Sequence, residues 1–135
     1  MNRPEVSQKN KYWISRHRFY ELKHFCLQYP QWKHHLEVIN NWPNCVPSRD
    51  KIDGDRTPRP TEQIVMKREF LKARIKMVEE TAMKVDKVIG PYILRGVTEG
   101  RSYDQLSAYN RVPCSKDTYY DLYREFFWRL GQARQ

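Results

Sequence analysis

Several kinds of pattern are missing from this sequence, and each absence closes off a class of protein. No apolar run reaches the roughly 18 residues that a membrane span requires. The polar opening MNRPEVSQKNK holds no signal-peptide core. The three cysteines, Cys26, Cys45 and Cys114, cannot all pair within one chain, and none stands in a C-x-x-C. Reduced thiols and a cytoplasmic protein are therefore expected. No stretch alternates apolar and polar residues in the manner of a strand. There is no phosphate-binding glycine loop, nucleophile elbow or dinucleotide fingerprint, so neither an enzyme nor a cofactor is expected. His17, His24, Cys26, His34, His35 and Cys45 follow no zinc-ligand spacing, and the adjacent His34 and His35 diverge on a helix. No metal is expected either.

What the chain does have is a core and a charge. Of its 135 residues 39% are hydrophobic and 13% aromatic, which is enough for one domain, or a small domain with a helical arm. The formal net charge is +9, a balance that suits a polyanionic partner such as nucleic acid. The excess is uneven. Residues 1–60 carry 11 basic and 6 acidic side chains, residues 61–85 carry 6 and 4, and residues 86–135 carry 8 and 6.

Apolar spacing predicts an all-α protein built of five or six helices. Residues 1–47 read as a basic arm followed by a helical hairpin. Phe19, Leu22, Phe25 or Cys26, and Tyr29 mark its first helix. Pro30 opens the second, which carries Trp32, Leu36 and Ile39 on one side. Residues 48–60, SRDKIDGDRTPRP, are the clearest linker. Residues 61–85 form a long amphipathic helix in which Ile64, Leu71, Ile75, Val78, Ala82 and Val85 keep a three-four spacing, broken by Arg68. Such a stripe either seams a homodimer through helix 61–85 or lies on its own domain.

Residues 86–135 have the plan of a trihelical helix-turn-helix domain. A supporting helix at 91–99 closes at Gly100, which suits a left-handed C-terminal residue. Ser102 and Gln105 have the capping-box spacing. Pro113 ends the short helix that follows, and Ser115 caps the last one, with Asp117 in its first turn. Tyr119, Leu122, Phe126 and Leu130 form the apolar stripe of that helix, and Gly131 is its expected stop. Tyr120, Tyr123 and Phe127 share another face, available either to a dimer contact or to the N-terminal helices. In this plan Lys116, Thr118 and Tyr120 reach base edges, and Arg124 lies one turn on. Arg101 and Arg111 stand before the two helices, where cations meet phosphates. Asp117 and Asp121 count against the plan, because carboxylates repel phosphates. A structural or protein-binding helical end is the alternative.

YILRGVTEGRSYDQL and VPCSKDTYYDLYREFFWRL resemble the small helix-turn-helix proteins of phages and prophages in Gram-positive bacteria, including late-gene activators of the RinA/ArpU type. RFYELKHFCLQYPQW resembles an element at the front of phage proteins with this ending. Asn110-Arg111 stands where many such modules carry Leu-Gly. The resemblance implies a transcriptional regulator in a bacterial cytoplasm. Its first partner would be double-stranded DNA, with RNA polymerase as a candidate second. Small terminase subunits share the helical plan, so a DNA-packaging or protein-interaction module is the other function it allows.

Overall fold

The computed structural model describes residues 9–41 and 60–135, and no strand forms among them. The helices are α1 (Arg16–Leu27), α2 (Tyr29–Asn41), α3 (Pro60–Val85), α4 (Gly90–Glu99), α5 (Tyr103–Tyr109) and α6 (Lys116–Ala133). The fold is all-α. The linker expected at 48–60 lies outside the described residues, except for Pro60 at the head of α3. None of the helices among the described residues is long and apolar enough to cross a membrane.

Local chemistry sets most of the helix ends. Ser15 Oγ accepts the Arg18 N–H at 3.2 Å and opens α1. Only Gln28 separates α1 from α2, and Pro30 sits in the first turn of α2, where a missing N–H costs nothing. Between α3 and α4 the Asp86 carboxylate accepts the N–H groups of Val88 and Ile89, at 2.7 and 2.8 Å. A Cβ on Gly90 would stand 2.6 Å from the Ala82 carbonyl oxygen, so glycine is what lets α4 start against α3. Gly100 ends α4 with φ +70°, as the spacing predicts.

α3 is the spine of the molecule, 26 residues or about 39 Å long. It packs against α2, α4 and α6. Leu71, Ile75, Val78 and Ala82 are all buried within this one chain. Of the two readings of the stripe, a homodimer seam or a face lying on its own domain, these four positions follow the second, since helices of the same chain cover them. Arg68, the apparent break, donates to Asn40 Oδ1 on α2 at 3.1 Å. The first part of α3 leaves Val65, Met66 and Phe70 exposed, and Met83 is exposed near its end.

α6 fills the centre, burying Tyr119, Tyr123, Phe126, Phe127 and Leu130. Successive positions of α1 meet successive positions of α6. Phe19 meets the edge of Phe127 at 5.0 Å, Leu22 lies against Gly131, and Phe25 lies against Arg134. The face shared by Tyr123 and Phe127 is thus taken by the protein's own core. Gly131 does not stop the helix, which runs on to Ala133. Its smallness admits Leu22, and its carbonyl accepts from Arg18 Nη2 at 3.0 Å.

Candidate nucleic-acid interface

The candidate site is the outer corner where α4, α5 and α6 meet. Ser102 and Gln105 form the reciprocal capping box. The Ser102 N–H donates to Gln105 Oε1 at 2.9 Å, and the Gln105 N–H donates to Ser102 Oγ at 3.2 Å. The Ser115 hydroxyl accepts the Thr118 N–H at 3.2 Å and fixes the first turn of α6. Tyr103 joins the two helices across the turn. Its hydroxyl donates to the Cys114 carbonyl at 2.7 Å, its N–H donates to the Tyr120 hydroxyl at 3.1 Å, and its ring packs on Tyr119.

The candidate DNA-contacting residues fall into three groups. Arg111 is exposed on the α5–α6 connection and has no ion-pair or hydrogen-bond partner among the described residues. Lys116 and Thr118 are exposed in the first turn of α6, as the plan requires. Lys116 Nζ meets Asp104 Oδ2 at 3.2 Å, and the Thr118 hydroxyl is held by Ser115 at 3.0 Å. The others are engaged inward or sideways. Arg101 Nε is 2.8 Å from Glu99 Oε1, and its guanidinium lies over the Tyr109 ring at 5.0 Å. Arg124 pairs with Asp121. Tyr120 is half-buried, its hydroxyl taken by Tyr103 and its ring edge-on to Tyr119 and Tyr123. In this conformation Tyr120 is a strut between α5 and α6.

The electrostatics of the corner are nearly balanced. Arg95, Arg101, Lys116, Arg124 and Arg129 each meet a carboxylate of this chain. Asp117 and Asp121 are exposed on α6 beside Lys116 and Thr118. Burial, with Asp86 adding to it, pushes the Cys114 thiol above its ordinary pKa, which favours its protonated form. Among the described residues no group of three or more His, Cys, Asp or Glu side chains is placed to hold a metal ion.

Two residues of the corner escaped the sequence reading. Asp104 anchors Lys116, yet the two are 12 positions apart across a turn, and no local spacing rule joins them. Tyr109 is 72% exposed beneath Arg101. Its position just before the helix break is the signal that it need not be core.

No protein-family model matches the chain, and no curated protein or solved structure matches it.

Proposed function

We propose that this chain is a double-stranded-DNA-binding regulator whose contact surface is the first turn of α6 with the connection before it. The observation that carries the reading is the capped, exposed turn Ser115–Thr118. It projects from a three-helix corner with the unpaired Arg111 beside it. A helix of this kind enters a major groove by its N-terminal end. Lys116 exchanges Asp104 for a guanine edge, and Thr118 lies against the neighbouring base. Arg111 sets the register on a phosphate. Regulation of phage or prophage genes, with RNA polymerase as a second partner, is the role to which the sequence resemblance points.

The test is duplex affinity over a range of salt, after selection from random duplexes. Lys116→Ala should cost about 1–3 kcal/mol on the selected site and relax the choice of one base. Arg111→Ala should weaken all duplexes alike and lower the salt slope by about one. A folded protein that binds no duplex at low salt would end the reading.

A protein-interaction or DNA-packaging module is the second reading. It is favoured by the carboxylates that already neutralise most of the cations on α4, α5 and α6. Under that reading the selection would enrich no motif.

A further inference from the structure

Among the described residues, two arginines without an ion-pair partner share one aromatic ring. Arg74, half-buried on α3, lies 4.3 Å from the ring centroid of Phe70, 5.4 Å from that of Phe25 and 5.8 Å from that of Trp32. Arg134, the residue that caps the C-terminal end of α6, lies 3.8 Å from the centroid of the same Phe25. Both guanidinium groups lie against one ring, at most 9.2 Å apart (5.4 Å plus 3.8 Å from its centroid), and like charges repel. Burial, followed by the charges of Arg74 and Arg18, draws the Arg134 pKa below its ordinary value.

The usual remedies are absent or already taken. Among the described residues neither Arg74 nor Arg134 has a carboxylate partner. Glu21, which acts favourably on Arg134, is held by Arg18 at 2.6 Å. The remaining reach of Arg18 goes to the Gly131 carbonyl. The Arg134 Nε is buried without a hydrogen-bond acceptor. The Phe25 ring and the negative end of α6 do favour a cation here. They cannot satisfy the N–H donors along the guanidinium edges, of which each arginine has five.

An oxyanion would supply those acceptors and cancel the repulsion. A carboxylate offers two oxygens with about four lone-pair sites, whereas a phosphate carries more charge and more acceptor oxygens with which to face two guanidinium groups. Lys67 and Phe70 lie on the same side of α3 as Arg74, at i, i+3 and i+7, and both are exposed. They extend the patch outward with a further cation and a ring.

We propose that Arg74 and Arg134 form a phosphate-binding site at the C-terminal end of α6, taking a phosphate group that is free or part of a nucleic-acid backbone. α6 has 18 residues, so this site lies about 27 Å from the first turn of the helix. It does not depend on the DNA reading of that turn.

The test follows the arginine Nε–H signals of the full chain by NMR while inorganic phosphate replaces chloride at constant ionic strength. The Arg134 signal should shift and saturate. Arg74→Gln and Arg74→Lys should each weaken the response about tenfold, since one removes the charge and the other the fork. Lys84→Gln, an exposed cation elsewhere on α3, should leave it unchanged. A second titration uses a duplex oligonucleotide with the Lys116→Ala protein. Loss of the remaining duplex affinity on adding Arg74→Gln, with competition by inorganic phosphate, assigns the site to backbone phosphates. Unchanged duplex affinity alongside a saturating phosphate response assigns it to the free anion. A non-saturating phosphate response combined with unchanged duplex affinity overturns the proposal, as does an equal loss in Lys84→Gln.

Discussion

Tyr119 is fully buried, yet its hydroxyl finds no hydrogen-bond partner among the described residues. It lies where a Cβ on Gly96 would fall, so the glycine of α4 and the phenol of α6 are fitted to each other. An unmet buried hydroxyl costs free energy, so Tyr119→Phe should raise stability by about 1 kcal/mol in urea titrations at neutral pH. The same burial has a signature in alkali. Burial first, then the neighbouring tyrosines, holds the Tyr119 and Tyr123 pKa values above the ordinary phenol value, and burial does the same to the Cys26 thiol. The folded chain then keeps protons that the unfolded chain has lost, so stability is full at neutral pH and declines as the medium becomes alkaline. The decline should begin near pH 8.5 with Cys26 and steepen near pH 10 with the tyrosines. Urea midpoints measured from pH 7 to 11 check this, and Tyr119→Phe should soften the upper part of the slope.

At the scale of the helix, α3 has a buried stretch and an open one, and the same change should matter in the first and hardly at all in the second. Val78 is completely buried, so Val78→Asp should cost more than about 3 kcal/mol, because it strands a charge in the core. Met66 is 72% exposed, so Met66→Asp should change stability by less than about 0.5 kcal/mol. A Val78→Asp protein that unfolds like the parent would remove the stripe from the core. The helix ends were legible in the sequence because their chemistry is local. Ser102 with Gln105, Ser115 with Thr118, and Gly100 all find their partners within four residues. The choice between a dimer seam and an internal stripe on α3 was not legible, because spacing shows which face is apolar and says nothing of what covers it. Gly131 misled for a related reason. A glycine near a helix end resembles a stop, but this one is a close approach to Leu22 on a helix more than a hundred positions earlier.

For the whole molecule, the candidate site cannot be separated from the rest of the chain. Residues 86–135 supply Phe126, Phe127 and Leu130, but α1 and α3 supply much of the surface that buries them. A fragment limited to 86–135 should therefore show little helical circular dichroism and broad NMR signals, whereas the full chain folds cooperatively. A well-dispersed spectrum from the fragment would make it a domain in its own right. The pairing of α1 with α6 also fixes an order of events during synthesis. Phe19, Leu22 and Phe25 leave the ribosome early, but the residues that cover them, Phe127, Gly131 and Arg134, come at the other end of the described chain. α2 and α4 can cover part of the first helix earlier, but the part that faces α6 stays open until α6 emerges. Contacts so distant in sequence form late and slowly, and the nascent chain carries an adhesive strip while the hundred or so residues between them are made.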